Sequence, residues 1–198
     1  MRPAARQEGR VLPALRRKTA TRAEASRAMH GSLNNSTWKE TMMPANVEER
    51  LAKLGLTLPD APSPAANYVP FTIAKGLLFI AGQAPVRDGK YAYTGRVGKE
   101  VTVEHAQAAA RLCGLNILAQ VQAAVEGDWS RLKRRVRICG YVSSAPGFFE
   151  QPKVLDGCSD LLVQALGESG RHSRSALGVA ALRGNVPVAV DAIFELAD

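Results

Sequence analysis

Residues 171–198, RHSRSALGVAALRGNVPVAVDAIFELAD, constrain the fold of this chain more than any other segment. Two apolar runs, at residues 173–182 and 186–196, predict strands joined by a turn at residues 183–185. The second run contains one carboxylate, Asp191, and the first begins with Arg174. A buried charge is costly unless it is paired or used. The two residues therefore predict either a functional site or an ion pair between neighbouring strands.

The remaining pattern predicts an α+β fold. Helices are expected where apolar residues recur every three or four positions, and strands where they alternate. Their order, β-β-(β)-α-β-α-β-β, predicts a mixed sheet with two main helices packed on one face. Both faces of the last strand are largely apolar, so self-association is one way to cover the second face. The predicted helices are residues 46–55, 102–126 and 152–166, and the other strands are 71–74, 77–83, 90–93 and 135–143.

The net charge of +8 is unevenly distributed, and this weakens a nucleic-acid interpretation. Residues 1–42 carry a net charge of +6, whereas residues 43–198 carry only +2. One basic cluster remains at residues 131–137, RLKRRVR, and its pattern favours a solvated strand face over a phosphate track. The apolar runs are too short to span a membrane. We therefore expect neither nucleic acid nor a membrane as a partner.

Residues 1–42 differ from the rest because they are rich in arginine and small residues and lack a hydrophobic period. Three interpretations are open: a disordered tail, an organellar transit peptide, or a misassigned start with translation beginning at Met42 or Met43. The composition favours a dispensable extension over targeting. We expect a domain at residues 43–198 and a cytoplasmic location, or the mitochondrial matrix if the extension is a genuine transit peptide.

Most catalytic motifs are absent from the sequence, including the nucleophile elbow, the P-loop and a dinucleotide fingerprint. The three cysteines, Cys113, Cys139 and Cys158, are widely spaced in apolar patterns, which predicts buried free thiols. His172 lies two residues before Arg174 and is a weak site candidate. No metal constellation and no cofactor motif emerge.

Several segments resemble the RidA/YjgF reactive-intermediate deaminase family. They are PAANYVPF, LLFIAGQAP, AAARLCGLNILAQVQAAV, RSALGVA and VAVDAIFEL, in order across residues 64–197. GRVGKE, QPKVLDG and GRHSRSALGVA resemble a longer-chain branch of the family. The resemblance implies a chorismate-mutase-like fold and a homotrimer with clefts between subunits. It also implies hydrolysis of small 2-imino acids, or their enamine tautomers, to 2-keto acids and ammonia without a metal or organic cofactor.

The resemblance also assigns site residues. Arg174 matches the arginine that holds the substrate carboxylate, and Asp191 falls where deaminases of the family carry a glutamate that positions the attacking water. Ala176 falls where a cysteine is common and a backbone carbonyl contributes. The expected catalytic residues are thus Arg174 and Asp191, and the expected substrate-binding residues are Phe71, Ala81, Gly82, Ser175 and Ala176.

This chain departs from the family pattern at the end of the site that handles water. Asp191 is one methylene shorter than glutamate, and Phe71 and Ala81 each lack the hydroxyl of the family's tyrosine and serine. An error of about 1 Å in a reacting group lowers a rate by roughly a hundredfold. The leading hypothesis is an imine deaminase, and the alternative is a non-catalytic trimer that binds a small carboxylate. An endoribonuclease is the third hypothesis, and the nearly neutral domain argues against it.

Overall fold

The computed structural model describes residues 46–64 and 66–197, so the predicted extension at residues 1–42 lies outside the described residues. The predicted helices and strands are confirmed, with small shifts at their ends. The helices are α1 (Val47–Lys53), α2 (Val103–Ala124) and α3 (Gln151–Leu166). The strands are β1 (Phe71–Ala74), β2 (Leu77–Gln83), β3 (Val86–Arg87), β4 (Lys90–Tyr91), β5 (Leu132–Ser143), β6 (Ser173–Val179) and β7 (Val188–Leu196).

Five of the strands form one mixed sheet in the order β1-β2-β7-β5-β6. Only β5 and β6 run parallel, and α3 makes the crossover connection that parallel strands require. The remaining two strands, β3 and β4, form a small antiparallel hairpin. The mixed α+β architecture predicted from the element order is confirmed.

The expectation that β6 and β7 are neighbours is wrong. β5 lies between them, pairing in parallel with β6 on one side and antiparallel with β7 on the other. The turn at Arg183–Asn185 therefore connects two strands that do not share hydrogen bonds. An ion pair between Arg174 and Asp191 across neighbouring strands is excluded by this order.

Both long helices pack on one face of the sheet, which we call the helix face. Helix α2 contacts β2 and β7, and α3 contacts β5, β6 and α2. The alternation along β7 separates the two faces cleanly, since every second residue from Val188 is buried and the intervening residues are partly exposed. The face that carries the partly exposed residues is called the open face. Buried aliphatic residues of the helix face and both helices form the core.

Helix α2 begins where the sequence predicts, because the hydroxyl of Thr102 accepts a hydrogen bond from the backbone N–H of His105. Among the helices of the described residues, none has the length and apolar character needed to cross a membrane.

The prediction of a solvated face for the basic cluster on β5 is only partly correct. Lys133 and Arg134 both pair with Glu195, whereas Arg135 is 1% exposed. Two irregularities in the pairing of β5 with β7, one on each side of Arg135, turn this side chain toward the helix face.

Candidate functional site

Asp191 lies in the middle of β7, on the open face of the sheet. On one side its pairing partner is Cys139 of β5. On the other side β2 bulges between Ile80 and Gln83, so Ala81 and Gly82 lie next to Asp191. A β-carbon at Gly82 would have no neighbour within 4 Å, so the space beside the bulge is open. Bulges often occur next to functional sites, and this one brings three of the predicted residues together.

The carboxylate of Asp191 is held by a residue that sequence reasoning missed. The hydroxyl of Tyr141 on β5 donates a hydrogen bond to Oδ2 of Asp191 at 2.9 Å. Hydrogen bonding with Cys139 and then with Asp191 raises the pKa of Tyr141 well above its usual range. Tyrosine in an alternating strand gives no local signal of this role, because its partner comes from a strand fifty residues later.

Arg174 lies on the helix face, opposite to Asp191. Its pairing partner on β5 is Ile138, which is fully buried in the core, and paired residues share one face of a sheet. The guanidinium donates to Oδ1 of Asp156 at 2.8 Å and to Oγ of Ser159 at 3.1 Å. The alternative of an ion pair between Arg174 and Asp191 is therefore excluded within one chain, because the sheet separates the two side chains.

The other predicted residues divide between the two faces. Ser175 pairs with Cys139 on the open face, and its hydroxyl accepts a hydrogen bond from Nη2 of Arg137 at 3.1 Å. Ala176 and Phe71 are partly buried and pack against the core on the helix face. Asp191 and Ser175 thus lie on the open face with the bulge beside Asp191, whereas Arg174, Ala176 and Phe71 lie on the helix face.

A pocket of about 200 Å³ opens at the bulge. Its walls include Gly82, Tyr91, Arg183 and Ala189, together with the connector that begins at Pro62. Ala189 is two residues from Asp191 and therefore on the same face of β7. The pocket is smaller than those that hold drug-sized ligands, and its size suits a molecule of a few heavy atoms.

A second polar cluster surrounds the buried Arg135. Its Nη2 contacts the carbonyl oxygen of Gly170 and Nδ1 of His172, while Nε and Nη1 have no partner among the described residues. Burial lowers the pKa of Arg135 to about 9, so the group stays charged at neutral pH. Nε2 of His172 lies 3.1 Å from Oγ of Ser159, and Nδ1 lies 3.0 Å from the carbonyl oxygen of Gly170.

The sequence-based prediction of buried free thiols is confirmed. All three are free and buried. Burial raises the pKa of Cys158 to about 12 and that of Cys113 well above its usual range, so both remain protonated thiols. Across residues 46–64 and 66–197, no three histidine, cysteine or acidic side chains are grouped as metal ligands would be.

Comparison with known proteins identifies the family. Residues 48–193 match the model of the family described as "YjgF/chorismate_mutase-like, putative endoribonuclease". The chain belongs to this family. Protein TCP17 of Trypanosoma cruzi is 44% identical over 151 residues, which are 76% of this chain and 94% of that protein.

Two solved structures have a fold similar to that of this chain. A protein of unknown function from Agrobacterium tumefaciens is 48% identical and has a TM-score of 0.73, with 83% of this chain and all of that chain covered. A "putative endoribonuclease" from Shewanella oneidensis is 39% identical and also has a TM-score of 0.73, with 76% of this chain and 99% of that chain covered. The resemblance drawn from the sequence motifs is confirmed.

Proposed function

We propose that this YjgF-family protein hydrolyses small 2-imino acids, or their enamine tautomers, to 2-keto acids and ammonia. The observation that carries the proposal is the cluster at Asp191. A carboxylate stands on an apolar strand beside an open bulge, and the hydroxyl of Tyr141 holds one of its two oxygens. The second oxygen is left to accept a hydrogen bond from a water.

The proposed reaction needs a positioned water more than a strong base. Asp191 orients the water toward the carbon of the C=N bond, and the new C–O bond forms as the imine nitrogen takes a proton. The resulting carbinolamine loses ammonia and leaves the keto acid. Orientation and electrostatic stabilisation of developing charge supply most of the catalysis in such a site.

Arg174 is proposed to hold the substrate carboxylate. Since it lies on the other face of the sheet from Asp191, the two residues meet at one ligand only if they come from different subunits. Asp156 and Ser159 fix one nitrogen of the guanidinium, and its remaining N–H groups are left for a ligand carboxylate. The proposal therefore requires a site shared between subunits.

Exposed apolar residues on the open face support a homotrimer. Phe79 is 39% exposed and Leu177 is 48% exposed, and both pair with residues of the open face. Apolar side chains uncovered on one sheet face are typical of a surface that another subunit covers. A cyclic arrangement of three copies repeats one interface and so repeats one cleft.

The reaction is tested by ammonia release from freshly generated 2-iminobutyrate. We expect activity in the wild-type protein and its loss in Arg174→Ala and in Asp191→Asn. Absence of turnover by the wild-type protein, both of 2-iminobutyrate and of a dicarboxylic 2-imino acid, rejects the reaction.

Mixing the two inactive variants tests the shared site. In randomly mixed trimers, sites that combine both intact residues restore about a quarter of the wild-type activity. A mixture that stays inactive after subunit exchange, verified by mass spectrometry, contradicts a site divided between subunits.

A carboxylate-binding protein without catalysis is the second candidate, and the aspartate in place of glutamate favours it. In that case 2-ketobutyrate raises the melting temperature of the wild-type protein but not of Arg174→Ala, and no imine is hydrolysed. Endoribonuclease activity has less support, because residues 43–198 carry a net charge of only +2.

A further inference from the structure

Arg137 is a cation on the same face of the sheet as Asp191. It lies on β5 opposite Ile193 of β7 and Ser173 of β6, two residues before Cys139, which pairs with Asp191. Its Nη2 donates to the hydroxyl of Ser175 at 3.1 Å. Arg137 and Asp191 are therefore diagonal neighbours on the open face.

The guanidinium of Arg137 has no carboxylate partner in the part of the chain that the structure describes. Its neighbours on β5, Lys133 and Arg134, share Glu195, and Arg174 is paired with Asp156. Arg137 instead contacts only a neutral hydroxyl through its side chain. Through this contact Arg137 and Ser175 present N–H and O–H donors at one place on the open face.

The spacing between Arg137 and Asp191 suits a short ligand. Diagonal neighbours on adjacent strands lie about 7–8 Å apart, and within the described residues Arg137 and Asp191 do not form an ion pair with each other. One or two methylene groups then separate a carboxylate bound at Arg137 from a reacting carbon beside Asp191. Arginine binds a carboxylate through two parallel N–H groups, and the Ser175 hydroxyl adds a third donor.

We propose that Arg137 and Ser175 form a subsite for a second carboxylate, so that the substrate is a 2-imino dicarboxylic acid of four or five carbons. The inference depends on the proposed function, because it assigns the substrate class of the same site. Arg174 of a neighbouring subunit holds the carboxylate next to the imine. Asp191 orients the water at the imine carbon, and Arg137 with Ser175 binds the carboxylate at the far end.

Substrate preference tests the proposal. Imines of glutamate and of 2-aminobutyrate are generated by an amino-acid oxidase, and their loss is followed by semicarbazide trapping. We expect the wild-type protein to have a kcat/KM for 2-iminoglutarate about tenfold or more above that for 2-iminobutyrate. Arg137→Gln lowers this ratio by about tenfold or more, as loss of charged hydrogen bonds predicts.

Arg134→Gln is the matched control, because it removes the same charge from the same strand and face. We expect the ratio in this variant to equal that of the wild-type protein. An unchanged ratio in Arg137→Gln, or a wild-type protein that prefers 2-iminobutyrate, overturns the dicarboxylate subsite while the proposed reaction stands.

If the wild-type protein hydrolyses neither imine, ligand binding is measured instead. That result rejects the proposed reaction, and the subsite is then tested with 2-oxoglutarate and 2-ketobutyrate as probes in thermal-shift titrations. The subsite predicts tighter binding of the diacid in the wild-type protein and in Arg134→Gln, and no such preference in Arg137→Gln. Equal binding of both acids by the wild-type protein overturns it.

Discussion

Helices α2 and α3 approach each other closely at Gly157, and this contact predicts a large effect of one added methyl group. A β-carbon at this position would lie 2.0 Å from the backbone carbonyl oxygen of Gln107 and 2.8 Å from its carbonyl carbon. Ordinary contacts of a β-carbon are 3.4–4 Å. Backbone in the middle of a helix cannot rotate away as a side chain can, so Gly157→Ala must push the two helices apart.

The expected loss of stability follows from two opposing terms. Overpacking of a core costs about 1–3 kcal/mol, and a contact with backbone belongs at the upper end. Alanine in place of glycine inside a helix stabilises the helix by up to about 1 kcal/mol. We therefore expect Gly157→Ala to lower the free energy of unfolding by about 2 kcal/mol.

Gly114→Ala is the matched control on the facing helix. Its β-carbon would lie 3.2 Å from Sγ of Cys158 and 3.4 Å from Cδ2 of Leu161, both of which are side-chain atoms that can shift. The gain in helix propensity offsets this mild crowding, so the stability should change by less than about 1 kcal/mol.

Urea denaturation followed by circular dichroism measures both variants at one protein concentration, since association affects apparent stability. With a slope of about 2 kcal/mol per molar urea, Gly157→Ala should shift the midpoint downward by about 1 M. Equal midpoints for Gly157→Ala and Gly114→Ala would refute the helix contact on which the reasoning rests.

Two further predictions concern Tyr141 and Arg135. The raised pKa of Tyr141 stabilises the fold fully below its unfolded pKa of about 10, and this contribution is lost as pH rises through the folded pKa. The urea midpoint should therefore fall more between pH 9 and 11 in the wild-type protein than in Tyr141→Phe, and parallel curves would contradict this. Arg135→Met should raise the free energy of unfolding by about 1 kcal/mol or more, because an unpaired buried cation is removed. Nδ1 of His172 already lies within hydrogen-bond distance of the carbonyl oxygen of Gly170, and any loss of stability in this variant would contradict the reasoning.

Local patterns in the sequence predict the elements of this fold well. The periodic apolar positions of α2 and α3 and the turn between β1 and β2 depend only on nearby residues, and the structure confirms them. Whether β6 and β7 are neighbours in the sheet depends on the position of a third strand. No local pattern in the sequence predicts that β5 lies between them.

Arg135 shows why alternation fails on an irregular strand. In a regular strand every second side chain faces the core, and Arg135 would be one charge among several on a solvated surface. The two irregularities of β5 instead place buried residues three positions apart, at Leu132, Arg135 and Ile138. A residue can be assigned to a face from the sequence only if the bulges are known.

The alternation of side chains along a strand also decides which residues of the candidate site lie on the same face of the sheet. Arg174 pairs with Ile138 and Asp191 pairs with Cys139, and consecutive residues of β5 point to opposite faces. The sequence identifies both residues but gives no information on their faces, since the register of each strand against β5 is a long-range property.

The separation of Arg174 from Asp191 strengthens the argument for assembly. Helix α3 holds the arginine on the helix face through Asp156 and Ser159, whereas Tyr141 holds Asp191 on the open face. Each side chain is fixed by its own partner, so neither can rotate through the sheet to meet the other. If one ligand is bound by both, the second residue must come from another copy of the chain. The enzymatic proposal and the trimer proposal therefore depend on each other, and the mixed-variant experiment tests both at once.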